Sequence, residues 1–289
     1  MNEIAESELV LNPDGSIYHL KLLPKHIAET IIVVGDQGRV QTVSKYFDSI
    51  EFQIQNREFT THTGYLNDKR LTVMSTGIGT DNIDIAINEL DALVNIDLTT
   101  RQIKESKAHL NIIRLGTSGA LQEDVPVDSL VMSSYGLGLD GLLNFYKSNG
   151  VIDEEITDAF IEHTEWGSNL SKPYIVKASD QLAAKLGDGM IKGITATSPG
   201  FYGPQGRILR LPISYPEQND KLSSFLFMDE RITNYEMETS ALYGLGKMLG
   251  HNTCTICAII ANRITKTYSK DYKKTVDKMI QIVLERLIS

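Results

Sequence analysis

Thr30-Ile31-Ile32-Val33-Val34-Gly35-Asp36-Gln37-Gly38-Arg39-Val40 changes its apolar period within one short stretch, and that change sets the fold class. Thr30 to Val34 is β-branched throughout, which suits the pleated surface of a strand, and Gly35 ends it. From Val40 to Phe47 the apolar positions fall at helical spacing. The stretch therefore reads as strand, glycine-containing turn and helix, the repeating unit of α/β sheets.

The same alternation continues toward the C-terminus. Glu51 to Tyr65 alternates well enough for two strands, and Arg70 to Ser75 is a third that ends in Thr76-Gly77-Ile78-Gly79. Asn82 to Val94 carries Ile83, Ala86, Ile87, Leu90 and Val94 at spacings of 3 and 4, the stripe of a helix packed on a sheet. After a polar segment, Asn111 to Leu115 reads as a strand ending in a Gly116-Thr117-Ser118-Gly119 turn, and Ser129 to Ser133 as another. Leu142 to Asp188 reads as helical segments broken at Gly150, Gly167 and Pro173, and Ile191 to Thr197 as a strand. Prolines and glycines make 199–207 a loop. A helix over 236–249, a buried strand over 253–261 and a last helix near 270–287 complete the pattern. With no repeat and no linker, residues 1–289 are expected to form a single α/β domain, a mixed sheet with helices on both sides, preceded by a polar arm at about 1–29.

Composition narrows the function classes. The 289 residues are 42% hydrophobic and 22% charged, enough apolar mass for a large core. The 37 acidic against 28 basic residues give a net charge of −9, which argues against nucleic acid or an anionic membrane as partner. No run reaches the length of about 18 apolar residues that a membrane helix requires, and the start Met1-Asn2-Glu3-Ile4-Ala5-Glu6 is acidic where a signal peptide is basic, so a cytoplasmic location is expected. Cys254 and Cys257 form a C-x-x-C inside a strand-like run. Period 2 sends them to opposite faces, against a redox pair.

Three turns are rich in glycine: Gly35 to Arg39, Thr76 to Thr80, and Gly116 to Gly119. At carboxyl ends of strands their N–H groups can receive an anion, and Arg39 and Arg114 supply guanidinium forks for phosphate or carboxylate. Neither a Walker A sequence nor G-x-G-x-x-G occurs, so nucleoside triphosphate and dinucleotide readings lack support. Asn234-Tyr235-Glu236-Met237-Glu238-Thr239 reads as a helix start. On a helix Glu236 and Glu238 would point about 200° apart, too far for an acid/base dyad, while either could still bind vicinal sugar hydroxyls. The histidines show no metal-ligand spacing, and no nucleophile elbow is present.

Taken in order, these segments resemble the nucleoside phosphorylase-I family, in particular its uridine-cleaving members. The resemblance is carried by Gly35-Asp36 with Arg39, Arg57-Glu58-Phe59-Thr60-Thr61, Ser75-Thr76-Gly77-Ile78-Gly79, Ile113 to Gly119, Phe201-Tyr202 with Gln205 and Arg207, and Asn234 to Glu238. It runs over nearly the whole chain and implies a partly barrel-like sheet. It also implies reversible phosphorolysis of uridine to uracil and ribose 1-phosphate, with phosphate as co-substrate and no organic cofactor. By the same resemblance Gly35, Arg39, Arg114 and Thr117 bind phosphate, with Arg57 reaching a neighbouring subunit's phosphate. Met237 and Glu238 bind ribose, and His19 reaches the ribose 5′-hydroxyl across a dimer interface. Gln205 and Arg207 read the uracil, and Ser118, Gly119, Phe201 and Glu236 complete the base pocket.

The chemistry of these residue types agrees. Glycosidic cleavage builds positive charge on ribose and negative charge on the departing base, so phosphate below C1′ and donors around the base both lower the barrier. Purine-cleaving members usually place an Asp after the strand equivalent to 253–261; here that strand ends in Asn262-Arg263. Gln37 stands where the family often has Pro, and Asp81-Asn82 replaces a common Pro-Ser. Asn82 falls where some bacterial members use Ser, with the equivalents of Glu58 and Ile78, to hold a monovalent cation such as K+. Segments 95–110 and 142–175 look longer than in compact hexameric members, which leaves dimer and hexamer both open for a homo-oligomer of site-sharing dimers. A purine or broad-specificity phosphorylase, and a non-catalytic nucleoside-binding protein on the same fold, are the alternatives.

Overall fold

The computed structural model describes residues 3–148 and 150–289. Met1 and Asn2 of the acidic start, and position 149 within the expected helical region, lie outside the described residues.

The stretch first quoted is the strand and helix it was expected to be. β1 (Thr30–Val34) is buried along its whole length and α1 (Gln37–Ser44) follows, with the Asp36 carboxylate accepting from Gly38 N–H as the helix cap. The helix begins earlier and ends earlier than its apolar spacing indicated, because the cap at Asp36, rather than the first apolar residue, sets its start. β2 (Ser49–Asn56) and β3 (Phe59–Leu66) form a hairpin, and β4 (Lys69–Ser75) returns beside β1. α2 (Thr80–Asn95) buries Ile83, Ala86, Ile87 and Leu90 of its expected stripe, with Leu93 buried in place of Val94, which is half-buried. Within the polar segment that follows, β5 (Ile96–Asp97) and β6 (Gln102–Ile103) make a small separate hairpin.

β7 (Asn111–Ala120) departs from the sequence reading, since it runs straight through Gly116-Thr117-Ser118-Gly119 instead of turning there. Pairing with the strand Asn252–Asn262 keeps it extended, and its glycine answers a local contact. A Cβ on Gly116 would lie 2.0 Å from Arg114 Nη1, so the glycine makes room for a folded-back guanidinium rather than for a bend. β8 (Leu130–Gly138) is longer than expected, and α3 (Glu154–Thr164) is followed by an unforeseen strand, β9 (Tyr174–Lys177), and by α4 (Asp180–Leu186). β10 (Ile191–Thr197), α5 (Gln218–Ser224) and the short β11 (Leu226–Phe227) lead to β12 (Glu230–Glu236). This last strand replaces the helix start that was read at Asn234 to Glu238; the helix, α6 (Thr239–Leu249), begins only after Glu238. β13 (Asn252–Asn262), β14 (Thr267–Tyr268) and α7 (Tyr272–Ile288) complete the chain.

The strands form one mixed sheet in the order β11-β12-β10-β8-β13-β7-β1-β4-β3-β2. A further pairing of β12 with β7, through Asn234 with Ala120 and Tyr235 with Gly119, closes β7, β12, β10, β8 and β13 into a barrel. One apolar core packs α2 and α6 on the sheet, and a second packs α1, α4 and α7 on its other side. Gly136 lets α6 approach closely: a Cβ there would lie 2.9 Å from the Ser240 Cα. Leu9, Ile17, Leu20, Leu22 and Ile27 of the arm are buried in the first core, so the arm is docked against α2. Among the described residues no helix is long and apolar enough to cross a membrane.

Candidate functional site

The carboxyl ends of β1, β4 and β12 meet over the middle of β7, where Arg114 is buried. Its Nη1 lies 3.2 Å from Glu236 Oε2, and its Nη2 pairs with Glu238 Oε2. The two carboxylates therefore converge, contrary to the helix-based expectation, because Glu236 ends a strand and Glu238 caps a helix. Glu236 also accepts from Thr197 Oγ1 at 2.7 Å and from the N–H groups of Glu238 and Thr239 at 2.9 and 3.0 Å. Glu238 Oε1 accepts from Gly79 N–H at 3.0 Å, which ties the turn after β4 to the start of α6.

Charge and burial are balanced here. Burial opposes the charge on Arg114, but Glu238 and Glu236 outweigh it and its pKa rises. Burial lifts the Glu238 carboxyl above its ordinary range against the pull of Arg114, with Glu236 adding repulsion. Arg39 donates to the Leu115 carbonyl at 3.3 Å; burial first, and Arg114 second, lower its pKa. Gly35 abuts the Gly77 carbonyl, so the first two glycine turns share a rim. Thr117 lies on the adjoining part of β7, half-buried. Cys257 Sγ is 3.5 Å from Arg114 Nη1, while Cys254 faces the other core. Burial pushes Cys254 up to about 12 and Cys257 up to about 11, so neither is a thiolate at neutral pH.

A second cluster lies at the loop after β10. Gln205 is buried, and its Oε1 accepts from Arg207 Nη1 at 2.6 Å. Arg207 also donates to the Phe201 carbonyl at 2.6 Å and lies over the Phe201 ring, 3.8 Å from its centroid. Burial, with Arg263 adding repulsion, lowers Arg207 to about 10. The start of α5 holds the loop: Gln218 Nε2 donates to the Pro204 carbonyl at 2.8 Å and to Tyr235 Oη at 2.9 Å. Ser118 Oγ accepts from buried Asn234 at 2.8 Å, which fixes the hydroxyl in place and leaves its O–H as a donor. Gly119 lies against the stem of Arg263, and Met237 is half-buried between the two glutamates in sequence. A groove of about 720 Å³ adjoins Tyr202 and Arg207, walled by Leu139, Trp166, Pro204, Leu209, Leu211 and Tyr215.

His19 and Arg57 form a third cluster rather than joining Arg114. Arg57 Nη2 is 3.4 Å from Tyr18 Oη, the Tyr18 and His19 rings meet edge-on at 4.8 Å, and His19 Nδ1 lies 2.6 Å from Glu89 Oε1. Glu58 and the Asn82 amide both flank Gly77, and Ile78 is exposed between them. Sequence reasoning missed Glu89, Gln218 and the donor role open to Arg263, whose Nη1 is buried with no hydrogen-bond partner among the described residues. Glu89 stands 70 positions from His19, a separation that carries no sequence pattern. Arg263 did leave a signal, a cation at the end of an otherwise apolar strand.

Known proteins are similar to this chain over nearly all of it. A uridine phosphorylase of Thermococcus kodakarensis is 29% identical over 95% of this chain and 87% of its own. A DeoD-type purine nucleoside phosphorylase of Clostridium perfringens is also 29% identical, over 94% of this chain and 98% of its own. The crystal structure of a Trypanosoma brucei nucleoside phosphorylase, described as showing uridine phosphorylase activity, superposes with a TM-score of 0.86 at 31% identity, covering 97% of this chain and 99% of that one. The phosphorylase superfamily model matches residues 29–289, and the chain belongs to that family, as an enzyme of its pentosyltransferase type.

Proposed function

We propose that the protein is a uridine phosphorylase, cleaving uridine with inorganic phosphate to uracil and ribose 1-phosphate. The observation that carries the reading is the Gln205–Arg207 pair, a buried amide and a guanidinium locked together at 2.6 Å. Uracil leaves as an anion spread over O2, N3 and O4. An amide can meet N3–H and a carbonyl together, and a guanidinium can neutralise O4 as charge develops there. Phe201, under the Arg207 guanidinium, offers a face for the pyrimidine ring, and Arg263 adds a second cation at the same end. Ser118, whose Oγ accepts from Asn234, keeps its O–H as a donor toward the base, and Gly119 leaves space for the base edge.

At the other end phosphate would meet Arg39, Arg114, Thr117 and the amides around Gly35. Glu238 would accept the 2′ and 3′ hydroxyls of ribose, with Met237 against the sugar. The charge balance supports a shared site. Within one chain the charges of Arg39 and Arg114 are offset by Glu236 and Glu238, so a further cation would strengthen the hold on a phosphate dianion. Arg57 of a second copy would be that cation, and His19 of the same copy would meet the ribose 5′-hydroxyl. No organic cofactor enters the scheme. Glu58, Ile78 and Asn82 could offer oxygen donors alone, a set suited to a hard monovalent cation between subunits rather than to catalysis.

A purine or broad-specificity phosphorylase is the second reading, favoured by the equal identity to a DeoD-type relative. Release of free base from uridine, inosine and adenosine, with and without phosphate, separates the readings. Phosphate-dependent cleavage of uridine alone is expected. Purine cleavage overturns the base assignment, phosphate-independent cleavage makes the protein a nucleosidase, and no turnover favours a nucleoside-binding protein.

A further inference from the structure

His19 is held from several sides outside the Arg114 site. The His19 and Leu20 N–H groups donate to the Glu89 carboxylate at 3.1 and 2.9 Å, and His19 Nδ1 lies 2.6 Å from its Oε1. Asn56 Nδ2 donates to the His19 carbonyl at 2.8 Å. The Glu89 side chain is largely buried, at 14% exposure against 32% for His19. An ionised carboxylate only accepts hydrogen bonds, so against Glu89 the ring carries a proton on Nδ1. Nε2 is then the nitrogen that meets a ligand, and among the described residues no hydrogen bond occupies it.

Distance decides whose ligand that is. Gly79, the cap residue of α2, donates to Glu238 in its own site. At a rise of 1.5 Å per residue, Glu89 lies about 15 Å further along the helix axis. One helix thus fixes the ribose-side carboxylate at its start and His19 near its far end, too distant for both to serve one nucleoside. We infer that Glu89 is the positioning residue for His19, fixing the ring so that Nε2 meets the ribose 5′-hydroxyl bound by a second copy of the chain. The inference rests on the functional reading above, in which His19 serves a partner's site.

The test compares uridine with 5′-deoxyuridine for the wild-type enzyme, Glu89→Gln, His19→Ala and the double variant. Glu89→Gln keeps the size of the side chain but replaces an acceptor with a donor facing N–H groups. It is expected to lower kcat/KM for uridine about 5- to 20-fold while changing 5′-deoxyuridine less than about 2-fold, and to add nothing to His19→Ala. Equal losses on both substrates, or an unchanged uridine rate, overturn the role. The ring ¹⁵N shifts of His19 in the wild-type protein, assigned with His19→Ala, provide a readout that does not depend on the variant's folding. A protonated Nδ1 is expected, and an unprotonated Nδ1 overturns the proposal. A wild-type enzyme that cleaves uridine but treats 5′-deoxyuridine equally well overturns the proposal alone. One that turns over no nucleoside overturns the functional reading and, with it, any role of Glu89 toward substrate.

Discussion

Arg114 is already paired with two carboxylates of its own chain, and this shapes what a ligand must do. Phosphate has to share a guanidinium already engaged by Glu236 and Glu238, so small displacements of Arg114 are expected to act on phosphate affinity. Gly116→Ala is the cleanest displacement, since the new Cβ would collide with Nη1. The phosphate KM should rise about 10-fold or more with little change in uridine KM, and unchanged phosphate kinetics would remove Arg114 from the phosphate site. Glu238 carries a pH signature. Its ionised form must accept the ribose hydroxyls, and burial holds its pKa above the ordinary carboxyl range. As pH falls through that raised value the carboxylate is lost, so kcat/KM should decline on the acid side earlier than an exposed carboxylate would cause. In Glu238→Gln, kcat/KM at neutral pH should drop about 10- to 100-fold and that acid limb should disappear. An acid limb that stays in place in the variant assigns it to another group.

At the scale of elements, the base-reading loop is only as rigid as its attachment to α5. Gln218 bridges the Pro204 carbonyl to Tyr235 on the barrel strand β12, which fixes Gln205 without touching the base. Gln218→Leu keeps the volume and removes both donors. The expected outcome is a rise of about 3- to 10-fold in uridine KM with the phosphate KM unchanged, read from initial rates with each substrate varied in turn. A matched rise in both would mean that the loop and the phosphate end move together. The glycines make the same point about elements. In β7 and β8 they permit close approach, of a guanidinium at Gly116 and of a helix backbone at Gly136, whereas a sequence reading assigns such residues to turns.

For the whole molecule, the decisive feature is the separation of the His19 and Arg57 cluster from the Arg114 cluster. Arg57→Ala and Arg114→Ala should each be nearly inactive, and mixing them under conditions of subunit exchange should restore activity. If each site takes one residue from either copy, random pairing leaves about a quarter of the sites intact. Recovery near that level supports sharing. No recovery, once exchange has been demonstrated by labelled subunits, would confine each site to one chain.

Much of this was legible in the residues. Continuous apolar runs announced β1, β4 and β13, which are buried on both faces, and helical periodicity announced α2 and α7, each of which buries one face. The glycine turns with Arg39 and Arg114 and the run holding Glu236 and Glu238 stood out by residue type, whereas Gln205 and Arg207 were singled out by the family resemblance. What the sequence by itself could not supply was convergence. Whether Glu236 and Glu238 diverge or meet depended on β12 ending where it does, which the barrel closure through β7 dictates. The straight course of β7 through its glycines depended on its neighbour β13, paired along its length. The Glu89–His19 bond depended on the arm docking on α2 through Leu20 and Ile17. Local periodicity is set by neighbours a few residues away, whereas these contacts are set by burial energy summed over distant segments, which only the folded chain brings together.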